Sequence, residues 1–203
     1  MPKKKFRIAV LASTRGTDLQ AIMDEMRGRK LPGVELSIVV SDQKNCYALE
    51  RAKESGFETA WVNPSGKKRV EFDREVMSLL DEKEVDLICL VGFMRILSSE
   101  FVQHYKNRII NVHPSLLPKY GGKGFHGANV HEAVLEAGDK VTGMTIHFVD
   151  EGCDTGHIIH QAEIEVVPED DANDLKRKVQ SLEKRWYPEV IRWIQHEKIV
   201  VAE

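Results

Sequence analysis

Four short runs dominated by apolar, β-branched residues stand out along the chain: Ile8–Leu11, Leu36–Val40, Leu87–Val91 and Ile109–Val112. Their apolar positions are largely consecutive rather than alternating, as in strands buried on both faces of a parallel sheet. Between these runs the hydrophobic period changes. Leu19, Ile22, Met23 and Met26 share one helical face, as do Phe72, Val76, Leu79 and Leu80, and further along Leu175, Val179, Leu182 and Trp186. Strand runs alternating with helical stripes predict an α/β fold, a doubly wound, mostly parallel sheet with helices on both faces. The methionines and aromatics of the stripes are read as core packing.

The pattern changes after about residue 140. Two strand-like segments, Thr142–Phe148 and His157–Val166, are joined by a short acidic loop and followed by one long helical stretch. The second half is therefore expected to form a hairpin-like, mixed-sheet region. Pro188 should kink or divide the last helix, because it removes a backbone donor and crowds the preceding turn. With no linker-like tract and no internal repeat, a chain of 203 residues is expected to be one domain, 1–203.

Composition narrows the function classes. With 29 basic against 32 acidic residues the net charge is -3, which offers no electrostatic footprint for nucleic acid or an anionic membrane. The basic start, Met-Pro-Lys-Lys-Lys-Phe-Arg, is followed by too short an apolar run for an export signal. Cys46, Cys89 and Cys153 form no C-x-x-C pair, so neither a disulfide framework nor a thiolate zinc site is favoured. A cytoplasmic location is expected. His126, His131, His147, His157 and His160 lack a compact ligand spacing, and no metal is expected.

Ligands of open parallel α/β sheets bind at the carboxyl ends of the strands, so the loops there carry the candidate chemistry. The first, Ser13-Thr14-Arg15-Gly16-Thr17-Asp18, leads into a helix whose N–H groups can receive a phosphate; it also reads as a plain turn with Thr17 or Asp18 as N-cap. In the second, Gly92-Phe93-Met94-Arg95-Ile96-Leu97, an apolar run around one Arg can line a pocket for a flat heterocycle or continue the core with Arg95 reaching solvent. In the third, Asn111 and His113 lie two apart at the end of a strand and point to one face, and Pro114 and Pro118 stiffen the loop beyond. Preorganised in this way, an imidazole suits a catalytic base. The fourth, Asp150-Glu151-Gly152-Cys153-Asp154-Thr155-Gly156, crowds three carboxylates into one turn, either a solvated hairpin loop or the source of a partner for His113. A Cys153 nucleophile is disfavoured by the carboxylate beside it.

Taken in order, Gly-Phe-Met-Arg-Ile-Leu, Asn-Val-His-Pro-Ser-Leu-Leu-Pro-Lys-Tyr and His-Phe-Val-Asp-Glu-Gly-Cys-Asp-Thr-Gly resemble the phosphoribosylglycinamide formyltransferase family, from the first strand to Tyr187-Pro188. The resemblance implies the formyltransferase fold, with a phosphate-loop half over 1–100 and a catalytic and folate-binding half over 101–203. It implies a catalytic trio of Asn111, His113 and Asp154. Gly16, Thr17 and Asp18 with Gln180 and Glu183 become substrate contacts, and Arg69, Met94, Arg95, Ile96, Leu97, Asn111 and Asp150 the folate contacts. The co-substrate implied is 10-formyltetrahydrofolate, the acceptor glycinamide ribonucleotide, and the state a monomer or homodimer. Two departures stand out. Thr14 and Asp18 replace a Gly and an Asn of the family's phosphate loop, and Gly121–Gly127 replaces a shorter Pro-Gly form. The same formyl pocket could serve an amino sugar, initiator methionyl-tRNA, or hydrolysis of formylfolate, and a silent nucleotide- or folate-binding module is the alternative outside catalysis.

Overall fold

The computed structural model describes residues 5–125 and 127–199. The basic start at residues 1–4, His126 and the last four residues of the tail lie outside the described residues. Among the described residues seven strands, β1 (Phe6–Ala12), β2 (Val34–Ser41), β3 (Thr59–Trp61), β4 (Leu87–Val91), β5 (Ile109–His113), β6 (Val141–Phe148) and β7 (Ile158–Glu165), have the sheet order β3-β2-β1-β4-β5-β6-β7, and the chain divides into two compact units, Met1–Ile110 and Asn111–Glu203, with the division inside β5.

In the first unit β1 (Phe6–Ala12) pairs in parallel with β2 (Val34–Ser41) on one side and β4 (Leu87–Val91) on the other, and β3 (Thr59–Trp61) pairs in parallel with β2. Ile8 through Ala12 and all of β4 are buried, so both faces of these central strands are covered. α1 (Thr17–Arg27) buries Leu19, Ile22 and Met23, and α3 (Arg69–Glu82) buries Phe72, Val76 and Leu80. Each such side chain contributes about 1.5–3 kcal/mol on burial. α2 (Tyr47–Glu54) buries only Ala48 and Ala52, a stripe too narrow to register as a hydrophobic period. α4 (Ser99–His104) is set by its cap: the Ser98 hydroxyl accepts from Phe101 N–H, and Ser98 N–H donates to Asp73 Oδ2 of α3 at 2.6 Å. β5 (Ile109–His113) starts in this unit and ends in the second.

In the second unit β6 (Val141–Phe148) and β7 (Ile158–Glu165) form the antiparallel hairpin expected from sequence. β6 is buried from Thr142 to Phe148, whereas β7 alternates along the sheet edge. α5 (Ala128–Glu136) buries Val130, His131 and Val134. α6 (Ala172–Gln195) starts on an Asp171/Asp174 capping box. Pro188 does not divide it: the helix runs through as one element, with Tyr187, Pro188, Val190 and Ile191 all buried. Burial of several apolar side chains outweighs the roughly 3 kcal/mol that an internal proline costs.

Candidate active site

The polar cluster of the second unit is built from two strand ends and two loops. β5 ends with Asn111 and His113 on one face, two residues apart. His113 is buried, its Nε2–H donating to the Tyr120 carbonyl at 2.6 Å and its Nδ1 lying 3.4 Å from Asp154 Oδ2. Asp154 sits in the β6–β7 loop with φ +58 and also accepts from Gly122 N–H at 3.0 Å. β6 contributes His147, whose Nδ1–H donates to the Phe148 carbonyl at 2.8 Å. Its Nε2 lies 3.3 Å from the Asn111 amide nitrogen. The same Nε2 lies 3.6 Å from Asp154 Oδ1. Asn111, His147, Asp154 and His113 thus form a chain of polar side chains that runs through one carboxylate.

The charges follow from this geometry. Burial alone would raise the Asp154 carboxyl, but the His147 ring, His113 and the Gly122 N–H together hold it below the usual carboxylate value. Burial dominates for His113 and lowers its pKa, against the raising influence of Asp154 and the Tyr120 carbonyl, while His147 adds to the lowering. At neutral pH the cluster therefore pairs an ionised Asp154 with a neutral His113. Such a pair can accept a proton at one atom and release it at another, and Asn111 retains a second N–H to offer an oxyanion. Cys153, exposed in the same loop, has its thiol pushed up by burial and by Asp154, which opposes a nucleophilic role.

The first unit holds the other candidate residues. Gly16, not Thr17 or Asp18, is the N-cap of α1; it is left-handed at φ +65 and makes no side-chain cap. A Cβ there would lie 2.7 Å from the Ala48 Cβ, so the loop seats directly on α2. The loop's carbonyls are taken up from that side: Thr14 O accepts from Ala48 N–H at 3.3 Å and from the Cys46 thiol at 3.0 Å, and Arg15 O from Arg51 Nε at 2.9 Å. With the carbonyls turned to α2 and no side-chain cap, the first-turn N–H groups suit an anion. Thr14, the departure from the family pattern, rests against Gly92, where a Cβ would come within 2.4 Å of its Oγ1. Ser13 joins the two loops, its hydroxyl donating to Asp42 Oδ1 at 2.6 Å and accepting from Met94 N–H at 2.9 Å.

Of the apolar run, Met94 and Ile96 are about half exposed and Leu97 is buried. Arg95 does not reach freely to solvent: its guanidinium lies 4.3 Å from the Phe72 ring centroid. Arg69 is exposed at the first residue of α3, one turn before Phe72 and Asp73, the residues that meet the 95–98 segment. Asp150 braces its own loop, Oδ1 accepting from Gly152 N–H and from the Thr155 hydroxyl. Glu183 is buried and Gln180 half-buried on α6; the cluster around Asp154 is assembled without them. Among the described residues no group of three or more His, Cys, Asp or Glu is placed to hold a metal ion, and no helix is long and apolar enough to cross a membrane.

The family model described as formyl transferase matches residues 6–191, which spans both units. The chain belongs to the formyl transferase family. It is 39% identical over 197 residues to phosphoribosylglycinamide formyltransferase of Escherichia coli, covering 97% of this chain and 90% of that protein. It is also 39% identical to the human trifunctional purine biosynthetic protein adenosine-3, covering 99% of this chain but only 19% of that much longer protein. Among solved structures, glycinamide ribonucleotide transformylase 1 from Symbiobacterium toebii superposes with a TM-score of 0.92 at 38% identity, covering 98% of this chain and 92% of that one. The seven-stranded, mostly parallel sheet with its mixed C-terminal half is the fold of these formyl transferases.

Sequence reasoning passed over His147, which it weighed only as a metal ligand. The available signal was parity: Thr145 and His147 share one face of β6, and both are fully buried polar residues. In this formyl transferase the loop following β5 is equally part of the site, through the main chain of Tyr120 and Gly122 rather than through side chains.

Proposed function

We propose that this chain is a single formyltransferase domain, 1–203, that transfers the formyl group of 10-formyltetrahydrofolate to the amine of glycinamide ribonucleotide. The observation that carries the reading is the ionised, largely buried Asp154 at 3.4 Å from His113 Nδ1, beside an amide donor, in a chain of this family. The neutral amine attacks the formyl carbon, a C–N bond forms, and the carbonyl oxygen becomes an oxyanion that the remaining Asn111 N–H stabilises, while His113 takes part in moving the proton. The amine proton passes through the Asp154–His113 pair or a water held by it to the folate N10. The bond from N10 to the formyl carbon then breaks, giving formylglycinamide ribonucleotide and tetrahydrofolate. No covalent enzyme intermediate is needed.

In this reading the loop Gly16–Asp18 takes the phosphate, with Gln180 and Glu183 as further substrate contacts. Arg69, Met94 to Leu97, Asn111 and Asp150 hold the folate. Both ligands are small molecules, neither a metal nor a nucleic acid takes part, and the enzyme works in the cytoplasm as a monomer or homodimer. The test is the absorbance change on folate release when protein, 10-formyl folate and glycinamide ribonucleotide are mixed, with the ribonucleotide omitted as control. Turnover that requires the ribonucleotide is the expected result; release without it marks a hydrolase and overturns the assignment.

A further inference from the structure

The segment after β5 holds both members of the His113–Asp154 pair by its main chain. The Tyr120 carbonyl accepts from His113 Nε2 at 2.6 Å, and Gly122 N–H donates to Asp154 Oδ2, the oxygen that faces His113 Nδ1. A carbonyl can only accept, so while this bond stands Nε2 carries a hydrogen in every protonation state of the ring. The exchangeable proton is thereby confined to Nδ1, the atom turned to Asp154. Where the Tyr120 carbonyl sits consequently decides which atom of His113 titrates.

Tyr120 is held there in a conformation that L-residues seldom adopt, at φ +54. Its side chain is pinned: the phenol donates to Asp139 Oδ2 at 2.7 Å, and the ring lies 5.1 Å from the Lys119 ammonium and 5.9 Å from the Phe125 ring. Asp139 is fixed in turn. Lys119 Nζ reaches both of its oxygens, at 2.7 and 2.6 Å, and its own N–H donates to Val134 O at the end of α5. Ser115, fully buried, secures the neighbouring peptide by donating to Lys119 O at 2.6 Å, but its 3.4 Å approach to Tyr120 O is weak. The firm tether of residue 120 is its phenol.

We propose that Asp139 and the Tyr120 hydroxyl are a positioning pair for His113, fixing the carbonyl that selects its Nε2–H tautomer and aims its titrating nitrogen at Asp154. The proposal rests on the reading of His113 as a catalytic group, and it adds two residues that touch neither substrate. Three groups face the His113 ring: Asp154 from the β6–β7 loop, His147 from β6 and the Tyr120 carbonyl. Asp154 and the carbonyl favour the protonated ring and His147 opposes it, so displacing the carbonyl shifts His113 titration to lower pH.

The test follows the His113 ring nitrogens by long-range proton–nitrogen NMR across pH, in the wild type, Tyr120→Phe, Asp139→Ala and Asp139→Asn, with the signals assigned by their loss in His113→Asn. The wild type is expected to show the Nε2–H tautomer. Tyr120→Phe and Asp139→Ala should mix the tautomers, lower the titration midpoint, and reduce kcat roughly two- to tenfold, the equivalent of one hydrogen bond, with KM for both substrates unchanged. Asp139→Asn keeps an acceptor for the phenol and should restore the wild-type spectrum. Should Asp139→Ala fail to fold, Tyr120→Phe decides alone. An unchanged His113 spectrum in Tyr120→Phe overturns the proposal, and a lowered Tm beside an unchanged spectrum reduces the pair to a structural role. Retained turnover in a separate His113→Ala variant would instead remove the catalytic reading, while the ring spectra still judge the tether.

Discussion

The two units solve different problems with different materials. In the first, the candidate ligand loops are main-chain constructions: Gly16 caps α1 in a left-handed turn, the loop carbonyls are turned to α2, and one serine hydroxyl ties the loop after β1 to the loop after β4. In the second, the candidate chemistry is a buried chain of ionisable side chains whose charges are set by one another and by burial. Backbone sites are preorganised by turn geometry and are broken by adding atoms. Side-chain clusters are preorganised by mutual hydrogen bonds and are broken by removing charge.

His113→Ala should have the largest effect, lowering turnover by about two to four orders of magnitude while the fold persists, as a circular-dichroism melt would verify. Turnover near that of the wild type would mean that the cluster is structural. In the first unit, Gly16→Ala adds a Cβ 2.7 Å from that of Ala48 at φ +65. Left-handed strain and the forced shift should together cost about 2–4 kcal/mol in urea unfolding and raise KM for the ribonucleotide more than that for the folate. Equal stability would show that the loop is not seated on α2 as described.

A pH experiment probes the buried ionisable groups of the second unit. His131 is buried in α5, and burial, with Lys176 adding to it, depresses its pKa from 6.5 to about 4. The unfolded chain therefore binds the proton first as pH falls. The contribution to stability is intact above about pH 6.5 and is lost progressively toward pH 4, by roughly 3 kcal/mol. His113 acts in the same direction, whereas Asp154, held below its ordinary 3.8, loses its contribution only below about pH 4. His131→Leu should flatten the fall in urea midpoint between pH 7.5 and 5; an unaltered slope would place the acid sensitivity elsewhere. The smallest effect is expected for Ser13→Ala, which removes the acceptor for Met94 N–H and the donor to Asp42. It should cost about 1–3 kcal/mol and raise KM for the folate several-fold with kcat retained, and a kcat effect without a KM effect would contradict the binding role assigned to these loops.

The sequence spoke clearly where burial was continuous. Leu87–Val91 matches β4 end to end, and the β6–β7 hairpin and the stripes of α1 and α3 were legible from period alone, whereas on α6 Leu175 and Val179 are buried as expected but Glu183 and Tyr187 take the buried places expected for Leu182 and Trp186. It was silent where the buried surface is small: α2 hides two alanines, β3 is three residues long, and α4 depends on a serine cap and a bond from Ser98 N–H to Asp73 of α3. Pro188 does not divide α6 as it could have, because the tertiary burial around it outweighs the local cost. Within the site, Asn111 and His113 could be paired by strand parity. The meeting of Asp154 and His147 depends on hairpin register, and the parts played by Tyr120 and Gly122 are main-chain, which leaves no side-chain signal to read.

The most direct measurement is the pairing of turnover with ribonucleotide affinity in Asp154→Asn, the first by folate release and the second by titration calorimetry. Turnover is expected to fall at least about a hundredfold while the ribonucleotide affinity stays within a few-fold of wild type, because charge is removed from the chemical cluster and the backbone loop is untouched. Wild-type turnover, or a loss of affinity that accounts for the whole fall in rate, would contradict the assignment of the chemistry to the Asp154 cluster and of phosphate binding to the Gly16 loop.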